Sequence, residues 1–445
     1  MILLKLKTTT ATSILLILLA TTTAFGGDSQ SPYCKNATEL SSPEDLTQLI
    51  ELGGNGQLVL LGESTHGTAE FYRWRAEISK RLIAEKGFNF IAVEGDWASI
   101  YRLNLYVKNH CNTYASASEV LKTFARWPEW MWANTEVESL AEWLKEYNKD
   151  LPDDKRVGIY GMDVYGQWEA MEEVLRIVEQ KLPERLDDIK AKFDCYTAYN
   201  FDEWQYARAV TQGYPACNEG LEWVVEILRE HLESIDCPTE AKLLRHAKQS
   251  AKVVQNSEDF YRLAVRNNIT SWNSRVMHMH NTVMQLLKSH GTYSKGIVWA
   301  HNTHIGDARA TSMLNEGMIN IGQLARQSYG DQMVTLVGFT TYKGTVNAGA
   351  QWASPMAKMS IPKAQKNSAE ALLKDCEFDS FYTIFDDEMR RSEDMLKPIG
   401  HRAIGVTYNP SAERLYNYVP SILPLRYDAL VFIKRTNALD VVSGE

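Results

Sequence analysis

Four times along this chain a short, wholly apolar run stops at a cluster of carboxylates and imidazoles. Gln57-Leu-Val-Leu-Leu61 gives way to Gly62-Glu63-Ser64-Thr65-His66-Gly67, and Phe88 to Val93 gives way to Glu94-Gly95-Asp96-Trp97. Val157 to Tyr160 leads to Gly161-Met162-Asp163, and Ile297 to Ala300 leads to His301-Asn302-Thr303-His304. A strand with one wet face alternates polar and apolar residues. A short run that is apolar throughout therefore predicts a strand buried on both faces, as in a parallel sheet covered by helices. A helical pattern follows the first cluster, with Phe71, Trp74, Ile78 and Leu82 spaced along one face of Glu70 to Glu85. Strand, loop and helix in repeated order predict an α/β fold with a mostly parallel central sheet flanked by helices. In such folds ligands bind beyond the carboxyl ends of the strands, where all four polar clusters fall.

Met333 to Phe339, Ala403 to Thr407 and Ala429 to Ile433 read as further strands, and a helix is expected near Pro43 to Leu52. Between the third and fourth strands lie about 135 residues, too many for one crossover helix. Amphipathic patterns fill them at Trp168 to Gln180, Gly220 to Glu233, Ala241 to Gln255 and Trp272 to Leu287. They predict a helical insertion, a cap over or beside the sheet edge. The expected division is a signal segment over 1–26, an α/β domain over 27–165 and 291–445, and the insertion over 166–290.

The amino-terminal segment carries Lys5 and Lys7, then the apolar run Ile14 to Ala20, then small residues through Gly27. That order predicts an export signal cleaved after Ala24 or Gly26, and hence a secreted or periplasmic protein. The apolar run falls short of the ~20 residues that span a bilayer, so no stable membrane insertion is expected after signal removal. Cys34, Cys111, Cys195, Cys217, Cys237 and Cys376 permit up to three disulfides in an oxidising compartment, with Cys195, Cys217 and Cys237 the expected participants because they share the insertion. Against 56 acidic residues stand 47 Lys and Arg, a formal charge of -9. That balance argues against nucleic acid or an anionic membrane surface as partner and leaves a neutral or cationic small molecule.

Glu63, His66, Glu94, His301 and His304 taken as one site support two kinds of water activation. Imidazoles at i and i+3 with two carboxylates suit zinc with an open position for water. Without metal, His66 draws a proton from water, a carboxylate fixes its tautomer, and the remaining groups face the oxyanion. No Gly-x-Ser-x-Gly elbow surrounds Ser64, and no phosphate-binding P-loop or dinucleotide G-x-G-x-x-G follows a strand.

From about Leu58 to Leu439 the chain resembles the erythromycin esterases. The blocks that carry the resemblance are Gly62-Glu-Ser-Thr-His-Gly67, Val93-Glu-Gly-Asp-Trp97, Trp127-Pro-Glu-Trp-Met-Trp132, Gly161-Met-Asp163, Ala300-His-Asn-Thr-His-Ile-Gly-Asp-Ala-Arg309 and Gly338-Phe-Thr-Thr-Tyr-Lys-Gly-Thr-Val346. The resemblance implies hydrolysis of a carboxylic ester or lactone, such as a macrolide ring, with no cofactor or essential metal. It implies His66 as general base for water, with Glu63, Arg75, Glu94, His301 and His304 on the other active-site positions. Asp96, Trp97, Asp163 and Arg309, from the same blocks, are candidate substrate contacts. Asn273-x-Arg275 resembles a family block in which an aspartate follows the arginine; here Val276 follows it. An exported esterase with another ester substrate, and a noncatalytic binding protein, are the alternatives.

Overall fold

The computed structural model describes residues 31–110, 113–235 and 238–442. The expected export signal, Cys111 and Cys237 lie outside the described residues. The strands are β1 (Ala37–Glu39), β2 (Leu58–Leu61), β3 (Phe90–Asp96), β4 (Gly158–Asp163), β5 (Gly296–Trp299), β6 (Val334–Gly349), β7 (Met356–Ile361), β8 (Ser380–Ile384), β9 (Ile399–Arg402), β10 (Tyr418–Ser421) and β11 (Ala429–Thr436). Six of them form a parallel core in the order β11, β6, β2, β5, β3, β4. At one edge β8 and then β1 add antiparallel, and β7 folds back on the far half of β6. Among the described residues, β9 and β10 stand apart as a separate antiparallel pair.

Every residue of β2, β3, β4 and β5 is buried, and their side chains alternate between two apolar layers. Leu58, Leu60, Phe90 and Ala92 face one layer, with Val174, Leu228, Val254 and Val283 of the insertion. Val59, Leu61, Ile91 and Val93 face the other, with Phe71, Ile78 and Leu82 of the Ala69–Lys86 helix. The insertion consists of helices, Gln167–Lys181, Leu186–Phe193, Glu203–Thr211, Asn218–Glu233, Pro238–Ala264 and Asn268–Ser289, and it packs on a face of the sheet, where a position over or beside the sheet edge was expected. Its last helix leads directly into β5, which brings Trp272 and Arg275 over the strand ends.

Two expectations are corrected. Ala403 to Thr407 is not a strand; it is an extended passage beside the cleft, tied down by single bridges from Ile404 to Thr65 and from Thr407 to Gly349. The predicted strand from Met333 to Phe339 continues as β6 to Gly349, because β7 pairs with its second half. Disulfides join Cys195 to Cys217 within the insertion and Cys34 to Cys376 across 342 residues of sequence. The second pairing tethers the segment before β1 to the edge of the sheet. Among the described residues no helix is long and apolar enough to cross a membrane.

Candidate active site

Each of the four parallel strands β2, β3, β4 and β5 ends at the same cavity, of about 460 Å³. The loop after β2 is held from several sides. A Cβ at Gly62 would collide with Asn302 Oδ1, whose amide is itself bonded to Phe339. Backbone bonds anchor the loop to its neighbours, with Asn302 N–H donating to Glu63 O at 2.8 Å and Ile404 N–H to Ser64 O at 2.8 Å. Tyr72 OH donates to His66 O at 3.0 Å.

Three side chains on this loop and the helix behind it form a line. Arg75 Nη2 donates to Glu63 Oε2 at 2.8 Å, and Glu63 Oε1 lies 2.9 Å from His66 Nδ1. The Arg75 guanidinium is fully buried, 4.3 Å from the Tyr72 ring centroid and 4.7 Å from that of Trp299. The carboxylate accepts a hydrogen bond from Nδ1–H, so the lone pair of His66 sits on Nε2, and His66 lines the cavity. Burial pulls the His66 pKa down, but the Glu94 charge and the Glu63 hydrogen bond outweigh it and hold the imidazole above its ordinary value of 6.5.

His301 has the opposite tautomer. It caps the short turn Asn302–Ile305, and Nδ1 accepts the Thr303 N–H at 3.3 Å. The ring proton is therefore on Nε2, which is buried without a hydrogen-bond partner. Burial, reinforced by nearby His66, holds the His301 pKa well below its ordinary value, so the ring stays neutral. Its centroid is 4.9 Å from that of His66. His66 thus brings a lone pair to the cavity wall, with the neutral His301 ring packed beside it.

Glu94 occupies the start of a bulge between β3 and β4. Its Oε2 accepts the His301 backbone N–H at 2.8 Å, and its Oε1 accepts Arg275 Nη2 at 2.8 Å. Arg275 also grips Asp163, from Nε at 2.8 Å and from Nη2 at 2.6 Å, while its Nη1 lies 3.2 Å from His304 Nε2. Burial would raise the Glu94 and Asp163 pKa values. The charge of His304 on Glu94, and of Arg275 on Asp163, holds both carboxyls below their ordinary values instead. His304 stacks on Trp272 at 4.4 Å. His304 Nε2 lies 3.3 Å from Glu94 Oε1 and Arg275 contacts both, and among the described residues no group of three or more His, Cys, Asp or Glu is gathered for a metal.

The structure brings His66, Glu94, His301, His304, Asp96 and Asp163 to one cavity, with Glu63 and Arg75 behind His66. It does not bring Trp97 or Arg309 there. Trp97 is buried and donates from Nε1 to His246 Nδ1 at 2.9 Å, and Arg309 is turned to Asp307 at 2.7 Å. Arg75 does not line the cavity; it holds Glu63 from behind. Ser64 is fully buried with no partner for its hydroxyl, outside the cavity wall. Arg275, Arg126, Tyr165 and Trp352, which the strand-end pattern does not single out, also line the cavity. Only Arg275 left a trace in the sequence, in the block Asn273-x-Arg275; the adjoining Val276 is fully buried in the apolar layer.

A family model described as erythromycin esterase matches residues 83–436, a stretch that begins after Arg75 and includes Glu94, Asp163, Arg275, His301 and His304. An Escherichia coli protein called erythromycin esterase type II is 24% identical over 321 residues, covering 68% of this chain and 73% of the relative. A crystal structure described as a succinoglycan biosynthesis protein superposes with a TM-score of 0.73 at 21% identity, covering 94% of this chain and 100% of its own. The erythromycin esterase EreC, solved as a mutant in an open conformation, gives 0.65 at 15% identity, covering 92% of this chain and 99% of its own. At such identities the structural likeness shows a shared fold. The family match extends over most of the sequence, and the chain belongs to the erythromycin esterase family.

Proposed function

We propose that the protein is an exported hydrolase that opens carboxylic esters or lactones with water activated by His66. The observation that carries this reading is the hydrogen-bonded line from Arg75 through Glu63 to His66, which leaves a basic Nε2 at the cavity wall. Water oxygen adds to the carbonyl carbon as His66 Nε2 takes the proton. The neutral His301 ring, held beside His66, is the donor closest to the developing oxyanion. Collapse breaks the bond from the acyl carbon to the alkoxy oxygen, and the His66 proton passes to that oxygen. A simple ester yields an acid and an alcohol; a lactone yields one hydroxy acid.

The relatives named erythromycin esterases favour a macrolactone as one substrate. Export is supported by the two disulfides and by the amino-terminal pattern, and it favours an ester met outside the cytoplasm.

The pH profile tests the assignment of the base. Only neutral His66 accepts a proton, and its pKa is raised above 6.5, so activity falls as pH drops through a limb lying above that value. Glu63→Gln removes one of the charges that raise it. The limb is expected to move to lower pH, and the rate to drop by up to about 10⁴-fold, the loss seen when an orienting aspartate of a triad becomes asparagine. A limb that stays in place in the variant assigns the ionisation to another group.

A further inference from the structure

At the mouth of the cavity the fold holds a large aromatic ring out in solvent. Trp352 is 49% exposed, and it lies on the turn between β6 and β7. Its position is fixed from several sides. The ring meets Trp127 edge-on at 4.9 Å and Tyr165 at 6.0 Å. Trp127 Nε1 donates to Ser354 O at 3.0 Å, fastening the turn to the segment that enters the cleft. The next residue, Ala353, has φ +60°, a conformation strained for any residue with a Cβ. An exposed aromatic ring held in place beside a cavity is a contact surface for a ligand.

Past Tyr165 the wall turns polar in a particular way. Arg126 Nη2 donates to Asp96 Oδ1 at 2.6 Å, and the Arg275 guanidinium lies between Asp163 and Glu94. Among the described residues lining the cavity these are the only Arg or Lys side chains, and both are already matched to carboxylates. Neither is left over for a phosphate or carboxylate on the ligand. Paired in this way, they keep spare N–H donors and carboxylate lone pairs, which suit neutral hydroxyl groups.

We propose that the alcohol part of the substrate is a sugar, so that the enzyme removes an acyl group from a neutral O-acylated glycan. One face of the sugar ring, lined with C–H groups, lies on Trp352, and its hydroxyls reach Asp96 and Arg126. This rests on the hydrolytic reading above. Water supplies the new oxygen of the released acid, the acyl C–O bond breaks, and the sugar hydroxyl leaves with the proton carried by His66.

The test compares acetylated xylo-oligosaccharides with 4-nitrophenyl acetate and erythromycin, using the full mature chain and its Trp352→Ala and Trp352→Tyr variants. The expected result is acetate release from the oligosaccharides, with a KM that Trp352→Ala raises about tenfold more for them than for 4-nitrophenyl acetate, and that Trp352→Tyr largely restores. Equal KM changes for the two esters overturn the proposal. So does cleavage of 4-nitrophenyl acetate or erythromycin while the oligosaccharides stay intact. A chain that cleaves none of the three overturns the hydrolytic reading, and this proposal with it.

Discussion

His66→Asn is expected to lower turnover of any ester the wild-type chain cleaves by about 10²- to 10⁴-fold, the usual contribution of general-base catalysis, with the melting temperature nearly unchanged. Asparagine keeps a hydrogen-bond donor for Glu63 in the space where His66 Nδ1 now meets it at 2.9 Å, so the line from Arg75 stays satisfied. What is lost is the lone pair at the cavity. The His301 N–H is untouched, so a residual rate above that of free solution is expected from the oxyanion contact alone. Turnover and circular dichroism measured on the same preparations check both halves. Full activity in the variant places the base elsewhere.

The second large effect is on stability. Arg275→Met is expected to destabilise the fold by about 3–5 kcal/mol near neutral pH, because it strips the shared cation from two buried carboxylates, Asp163 and Glu94. The pH dependence identifies the cause. In the wild-type chain both carboxyl pKa values are depressed, so their contribution is present above the unfolded carboxyl pKa and is lost as pH falls through the folded values. In the variant, burial without the cation raises the Asp163 pKa, so the deficit is greatest at neutral pH and shrinks as acid protonates the group. Urea unfolding at several pH values measures it. A deficit independent of pH points to lost packing rather than lost charge pairing.

Much of the site was legible because α/β architecture converts a one-dimensional pattern into a place. Glu63, His66, Glu94, Asp163, His301 and His304 each follow an apolar run, and parallel pairing of those runs puts their ends together. Trp97 shows where that logic stops. It follows Asp96 in sequence, but it is the first residue of a helix, Trp97–Val107, and its ring turns into the core to stack on Tyr160. Arg126, Arg275 and Trp352 were hidden for the converse reason. They arrive from a loop, an insertion helix and a turn between strands, so no local spacing relates them to a strand end. The Ala403 to Thr407 run looked like a strand because it is short and apolar, yet it finds only isolated bridges. β7 was missed because it is mostly solvent-facing and has no continuous apolar run to announce it. The Cys34–Cys376 bond depends on tertiary proximity, which cysteine spacing does not encode.

Water activated by His66 is expected to attack the ester carbonyl without a covalent intermediate. Mass spectrometry of enzyme and substrate together, during turnover in heavy-oxygen water, tests it most directly. One heavy oxygen is expected in the released acid, with an enzyme mass that never changes and with labelled product about 10²- to 10⁴-fold lower from His66→Asn at equal concentration. An acyl group found on the enzyme during turnover, or equal product from the His66→Asn variant, would contradict it.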